Sequence, residues 1–137
     1  MYPSGTWRSK WPASQEFVSR LGRFLASNPQ LWSSLKVEGH TDSRGTPEYN
    51  LKLSEARAAE VGRILTQAGI PQSRMFSRGI GLAYPIDRGP SDISQARNRR
   101  VELSFVGVSD ARILRDAINR IRFETTIPRT CDGGHCK

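Results

Sequence analysis

The strongest structural signal in this sequence is a helical apolar period between residues 47 and 68. Apolar side chains recur there at Leu51, Leu53, Ala56, Val61, Ile64, Leu65 and Ala68. Good helix formers fill the positions between them, and Gly69 follows, as glycine commonly does after a last helical turn. The segment therefore predicts a long helix whose apolar face must be buried against other elements.

Two further segments, residues 12–27 and 109–123, predict shorter helices. In the first, Pro12 suits the opening turn, and the apolar positions are Phe17, Leu21, Phe24 and Leu25. In the second, Ser109 suits the N-cap, and the apolar positions are Ile113, Leu114, Ala117, Ile118 and Ile121. This C-terminal helix either packs on the domain, which is the commoner outcome, or meets a protein partner.

Strands are predicted where apolar and polar residues alternate, at residues 35–38, 75–78 and 101–105. Residues 83–92 predict a loop because they are rich in Pro, Gly and Asp. Helices interspersed with short strands predict an α/β sandwich, in which helices cover a small mixed sheet and an extra helix follows at the C-terminus. Residues 1–11 show no clear alternation, so we expect an irregular N-terminal segment.

Length and composition indicate one globular domain. The chain has 137 residues, 36% hydrophobic and 25% charged, which is enough to bury a core without metals or several disulfides. No run of eighteen apolar residues occurs, and the first residues contain no apolar signal-peptide core. If the protein works outside the cytoplasm, we expect its export signal or membrane anchor to lie outside this chain.

A formal net charge of +8 favours a polyanionic partner, because clustered Lys and Arg release counterions when they bind phosphates. Much of the excess lies in residues 96–122, which carry no nucleic-acid-binding motif. Aromatic residues do not interleave with these arginines as base stacking would require. A solvated basic face explains the charge equally well, so nucleic-acid binding remains an alternative and is not the expected function.

The two cysteines, Cys131 and Cys136, lie in the segment "CDGGHC". The intervening Asp-Gly-Gly can form a tight turn, so a small disulfide loop in an oxidising compartment ranks first and free thiols rank second. A metal site that uses His135 as well ranks third, since three ligands fall short of a closed structural zinc site. We predict no metal site and no cofactor.

A loop carboxylate and a helix guanidinium form the first candidate site. Asp42 lies in the turn "HTDSRG" after a predicted strand, and Arg57 shares a face of the long helix with Asn50 and with Leu53 or Ser54. Asp42 and Arg57 could line a cleft at the strand ends and bind an ammonium and a carboxylate respectively. Spacing alone favours a simpler interpretation, in which they pair with each other or Asp42 caps local backbone amides.

Five segments of the chain resemble the OmpA-like peptidoglycan-binding domain, in order and at similar spacing. They are "VEGHTDSRG" (37–45), "YNLKLSEARAAEV" (49–61), "GI" (69–70), "RGIGLAYPI" (78–86) and "NRRVELSF" (98–105). Several motifs in register are far more specific than any one of them. On this resemblance the family domain covers residues 12–106, and residues 107–137 form a C-terminal extension with a cysteine-containing tail.

The resemblance implies a fold, a ligand and a set of binding residues. The fold is a mixed sheet covered on one side by helices, and the ligand is the diaminopimelate residue of the peptidoglycan stem peptide, bound without covalent chemistry. The binding residues that it implies are Asp42, Arg57, Thr41, Asn50, Leu53 and Arg99. It also implies a periplasmic protein at the cell wall, with a larger parent protein anchored in the outer or inner membrane.

Two segments depart from the family pattern, the first eleven residues and the tail beyond Phe105, about which the resemblance implies nothing. The family opens with an apolar strand, which the first eleven residues do not resemble. His40 and Asp42 could also be imagined as a metal pair or as the general base of a hydrolase. A lone histidine at a strand end is more often structural, and no nucleophile motif surrounds it, so we expect a binding module and not an enzyme.

Overall fold

The fold is built around a four-stranded mixed sheet in the order β1-β4-β2-β3. The computed structural model describes residues 6–10, 14–83, 85 and 87–126. The strands are β1 (Thr6–Lys10), β2 (Ser34–His40), β3 (Met75–Gly81) and β4 (Arg100–Val106). β4 lies antiparallel to both β1 and β2, whereas β2 and β3 are parallel. A parallel pair needs a crossover connection, which a helix supplies.

In the part of the chain that the structure describes, four helices accompany the sheet: α1 (Gln15–Ser27), α2 (Pro47–Gln67), α3 (Asp92–Asn98) and α4 (Ala111–Thr126). A short 3₁₀ turn, Gln72–Arg74, precedes β3. α2 is the crossover between β2 and β3, and it contacts both of these strands and α1. Within the described ranges, none of the helices combines the length and the apolar character that crossing a membrane requires.

One face of the sheet carries the hydrophobic core. Leu35 and Val37 of β2 alternate with more polar neighbours, and Val101, Leu103 and Phe105 do the same in β4. They pack in one cluster with buried residues of the helices, among them Leu21, Leu25, Val61, Leu65, Leu114 and Ile118. Burial of this apolar area is the main force that holds the helices on the sheet.

α2 lies unusually close to the sheet because two strand residues under it are glycines. A Cβ atom at Gly39 would clash with the backbone of Ser54, and one at Gly79 would clash with Ser54 and with the backbone of Glu55. Ser54 Oγ in turn accepts a hydrogen bond from Gly81 N at 2.9 Å. These contacts fix the first half of α2 over the ends of β2 and β3.

The structure confirms the predicted fold class and the main elements. α2 ends one residue before the predicted limit of 68, and Thr46 caps its start by accepting from Tyr49 N at 3.1 Å. α1 begins at Gln15 with Ser14 as its N-cap, and Pro12 lies outside the described residues. β3 continues to Gly81, three residues beyond the predicted 75–78.

The prediction of an irregular N-terminal segment is wrong for residues 6–10. This part of the chain forms β1, which pairs with β4 from Thr6 opposite Ser104 to Lys10 opposite Arg100. Backbone groups make this pairing, so an edge strand can form without the apolar alternation that the sequence analysis required. A strand is therefore present where the resemblance implies one.

In the C-terminal half, the sequence analysis missed one helix and assigned the wrong cap to another. α3 was not predicted, because seven residues are too few to show a helical period; Ser91 caps it by accepting from Ser94 N at 3.0 Å. The cap of α4 is Asp110 and not Ser109, since Asp110 Oδ1 accepts from Arg112 N at 3.0 Å. Ser109 Oγ instead donates to Gln30 O at 3.2 Å.

α4 belongs to the same core as the rest of the domain. Its residues Leu114, Ile118 and Ile121 are buried in the common cluster, and the helix contacts α1. The predicted packing on the domain is thus confirmed for most of the stripe, whereas Ile113, which was predicted to belong to it, is exposed. The predicted pair Cys131 and Cys136 lies outside the described residues.

Candidate functional site

The candidate site lies where three elements meet: the turn after β2, the first half of α2, and the junction of α3 with β4. The turn can reverse sharply because Gly45 has a φ of 93°, which favours glycine. Asn50 of α2 is 1% exposed, and its Nδ2 donates to Arg44 O at 2.9 Å. Asn50 therefore holds the turn in place against the helix.

Asp42 is the centre of this site and is only 8% exposed. Its Oδ1 accepts from Arg44 N at 3.0 Å, so Asp42 caps the local backbone as one of the simpler interpretations predicted. Its Oδ2 accepts from Arg44 Nη2 at 2.7 Å, from Arg44 Nε at 3.2 Å and from Arg99 Nη1 at 2.8 Å. The carboxylate is thus held by two guanidiniums, which both donate to Oδ2.

These contacts keep Asp42 ionised. Burial is the largest single influence on the pKa of its carboxyl group, and it raises that pKa. Hydrogen bonds from Arg44 and Arg99 and the charge of Arg44 act in the opposite direction, and the net effect lowers the pKa from 3.8 to about 2. Asp42 therefore carries a negative charge near neutral pH.

Arg57 lies in the same electrostatic environment. Burial lowers the pKa of its guanidinium, the negative charge of Asp42 raises it, and the positive charge of Arg99 lowers it again. An arginine nevertheless remains protonated near neutral pH. The sequence prediction placed Asp42 and Arg57 in one cleft, and their charges do act on each other.

Thr41 and Leu53 complete the set of predicted residues. Thr41 is 2% exposed and its backbone N donates to Gly81 O at 2.9 Å. Among the described residues, its Oγ1 has no hydrogen-bond partner, which is costly for a buried hydroxyl unless a ligand or water satisfies it. Leu53 is half-buried on α2, one turn before Arg57.

A cavity of about 530 Å³ adjoins this cluster. Its lining includes Thr41, Ser43, Arg88, Gln95 and Asn98, so it lies between the turn after β2 and the loop that leads to α3. Gln95 fixes the turn by accepting from Ser43 N at 2.9 Å and donating to Ser43 Oγ at 2.7 Å. The cavity shares Thr41 with the predicted site, whereas Asp42, Arg57 and Arg99 are not among its lining residues.

The sequence analysis missed Arg44, which makes more contacts with Asp42 than any predicted residue does. The available signal was short-range: an Asp followed two residues later by an Arg, within a turn that Asp can cap. Arg99 was predicted from the family resemblance, and its contact with Asp42 joins residues 57 positions apart.

Within the described ranges, one group of side chains has the spacing of metal ligands: Glu38, His40 and Glu102, whose ligand atoms lie within 4.8 Å of one another. Each carboxylate already has a guanidinium partner, Arg78 Nη2 at 2.7 Å from Glu38 and Arg100 Nε at 2.7 Å from Glu102. A cation would have to compete with these arginines. Asp42 is not part of the group, so the imagined pairing of His40 with Asp42 at one metal gains no support.

A sequence model described as the OmpA family matches residues 8–99 of the chain. The chain belongs to the OmpA family. The match begins inside β1 and ends at Arg99, so it includes every residue of the candidate site. α4 lies beyond the part that the family model describes.

Relatives within the OmpA family include proteins of the cell envelope. The peptidoglycan-associated lipoprotein of Legionella pneumophila is 35% identical over 104 residues, which cover 76% of this chain and 56% of that protein. The outer membrane protein A of Bordetella avium is 48% identical over 69 residues, which cover 50% of this chain and 36% of that protein. The chain thus spans about half or less of the length of these relatives.

Solved structures of the family share the fold. The peptidoglycan-associated lipoprotein of Burkholderia pseudomallei superposes with a TM-score of 0.62 at 35% identity, over 66% of this chain and 75% of that one. The mixed sheet with its covering helices is therefore the fold of this OmpA-family domain.

Proposed function

We propose that this OmpA-family domain binds peptidoglycan non-covalently through the diaminopimelate residue of the stem peptide, and so tethers a larger envelope protein to the cell wall. The observation that carries the proposal is the buried, ionised Asp42, held by Arg44 and Arg99 within the field of Arg57. The names of two relatives, both peptidoglycan-associated lipoproteins, support peptidoglycan as the binding partner. So does the match to the cell wall anchor of the T6SS from Pseudomonas aeruginosa, with a TM-score of 0.60 at 29% identity over 74% of this chain and 80% of that one.

The charges of the site suit the free end of diaminopimelate, which carries an ammonium and a carboxylate on one carbon. Asp42 would accept hydrogen bonds from the ammonium, and Arg57 would bind the carboxylate through its two-pronged guanidinium. The buried Thr41 Oγ1 would gain a partner, and Leu53 would contact the methylene chain. A lysine in place of diaminopimelate would leave Arg57 without its anion, so such a site discriminates strongly against it.

This proposal requires no bond making or breaking, and we expect the domain to have no catalytic activity. Binding needs only positioned charges. Asn50 and Gln95 help to position them by holding the turn that carries Asp42. The main alternative is nucleic-acid binding by the arginines of residues 96–122. Three of them are already paired with carboxylates, Arg97 with Asp87, Arg99 with Asp42 and Arg100 with Glu102, so this run offers less free positive charge than its sequence suggests.

We infer a periplasmic location at the cell wall, because diaminopimelate-containing peptidoglycan is found there. The parent protein would be anchored in the outer or the inner membrane. Membrane attachment through that anchor and wall attachment through this domain would together link the two layers.

The test is sedimentation of the purified domain with insoluble diaminopimelate-type peptidoglycan. We expect Asp42→Ala and Arg57→Ala each to abolish co-sedimentation while circular dichroism shows a folded domain. Arg63→Ala is the matched control, since Arg63 also lies on α2, pairs with Glu60 and has a side chain 52% exposed. If both site variants still sediment with the wall as the control does, the proposed site is wrong.

A further inference from the structure

The candidate site has an excess of positive charge that one zwitterion does not balance. Arg44, Arg57 and Arg99 all act on the single carboxylate of Asp42. Asp92, at the start of α3, adds a second negative charge close enough to act on Arg44. Guanidiniums still outnumber carboxylates, and a zwitterionic ligand end, which is neutral, leaves that imbalance unchanged.

Asp42 also has little capacity left for a ligand. Its two oxygens already accept four hydrogen bonds, one at Oδ1 and three at Oδ2. A carboxylate offers about four such positions, so an arriving ammonium must either share an oxygen of Asp42 with a guanidinium or displace that guanidinium. A ligand that binds Asp42 therefore changes the arrangement of the arginines around it.

Arg44 is the arginine that can move at the least cost. Its side chain is 60% exposed, whereas that of Arg99 is 29% exposed and that of Asp42 is 10% exposed. The backbone N of Arg44 would still donate to Asp42 Oδ1 after its guanidinium had left. An exposed guanidinium released at the mouth of the site then faces the part of the ligand that leads out to solvent.

We propose that Arg44 binds a second carboxylate of the ligand, next to the zwitterion that Asp42 and Arg57 hold. This inference rests on the proposed function. In a diaminopimelate stem peptide the second carboxylate has two possible sources. One is the α-carboxylate of the γ-linked D-glutamate, and the other is the main-chain carboxylate of diaminopimelate where the stem ends there. Either gives a planar two-oxygen anion that suits an arginine fork.

The experiment titrates soluble stem tripeptides, L-Ala-γ-D-Glu-diaminopimelate, into the domain by calorimetry. Three ligands are compared: the tripeptide with both of these carboxylates free, and two forms in which one or the other is a carboxamide. The proteins are the unmodified domain, Arg44→Gln, Arg57→Ala and Arg63→Gln. Arg63→Gln removes a similarly exposed, carboxylate-paired arginine away from the site.

We expect one of the two carboxamides to bind the unmodified domain about tenfold more weakly than the free tripeptide, which identifies the source of the carboxylate. Arg44→Gln should bind the free form and that carboxamide equally. It should even bind the carboxamide more tightly than the unmodified domain does, because Arg44 no longer competes with the ammonium for Asp42. Arg63→Gln should behave like the unmodified domain.

The inference is overturned if the unmodified domain binds all three ligands equally, or if Arg44→Gln keeps the full preference for the free form. Failure of the proposed function has a different signature. In that case the free tripeptide does not bind at all, or Arg57→Ala binds it as tightly as the unmodified domain, and both ideas then fail together.

Discussion

Two clusters of this domain hold carboxylates with arginines, and they differ in how the charges balance. On the sheet, Glu38 pairs with Arg78 and Glu102 pairs with Arg100, so each carboxylate has its own guanidinium. At the turn after β2, Asp42 alone is shared by Arg44 and Arg99, within the field of Arg57. A balanced cluster is complete without a ligand, whereas an unbalanced one gains from a ligand that brings negative charge. We therefore interpret the first as structural and the second as a binding site.

The largest expected effect is a difference in stability between alanine variants of two neighbouring arginines, Arg99 and Arg100, at the start of β4. Arg100 is 3% exposed, and Arg100→Ala removes a buried guanidinium that donates to the partly buried Glu102, so we expect a loss of ~3 kcal/mol in the free energy of unfolding. Arg99→Ala should cost less stability, because Arg44 still holds Asp42. Urea unfolding measures both variants. Equal losses would mean that the two clusters are not different in kind.

The same comparison can be made for ligand binding. Asp42→Asn should weaken binding of a diaminopimelate tripeptide about 100-fold, which is ~2.7 kcal/mol, because the amide cannot replace the charge that faces the ammonium. Glu102→Gln is the matched change in the balanced cluster and should leave the affinity within twofold. Calorimetric titration gives both values. A similar loss for Glu102→Gln would place the sheet cluster in the binding machinery.

Acid should act on the site through Asp42. Its pKa in the folded state is about 2, below the ordinary value of 3.8. The resulting stabilisation is complete above the unfolded-state pKa and is lost as pH falls from about 4 through about 2. It amounts to ~1 to 2 kcal/mol after screening by solvent. The free energy of unfolding, measured at several pH values between 5 and 2, should therefore fall more steeply with decreasing pH for the unmodified domain than for Asp42→Asn. Parallel curves would contradict the assigned shift.

The smallest expected effect concerns one exposed arginine from each cluster. The side chains of Arg44 and Arg78 are 60% and 63% exposed, and each pairs with a less exposed carboxylate. Arg44→Gln and Arg78→Gln should each lower Tm by no more than about 4 °C, since exposed ion pairs contribute little. Differential scanning fluorimetry checks this, and only Arg44→Gln should alter the preference among tripeptide ligands.

Local patterns were sufficient for the elements that bury a regular apolar face. The period of residues 47–68 predicted α2 to within one residue, and alternation predicted β2 and β4. Elements held mainly by backbone groups gave no such pattern. β1 depends on pairing with β4, and α3 is a single short helix with its cap at Ser91.

For the site, the sequence by itself determined which charges are present. Through the family motifs it also predicted the candidate binding residues. Only the tertiary structure decided which of those charges meet. Asp42 is held by Arg44, two residues away in a capped turn, and by Arg99 from another element. The physical reason is that β2 and β4 pair antiparallel with His40 opposite Arg100, so the turn that follows β2 lies beside the residue that precedes β4, and spacing along the chain does not contain that distance.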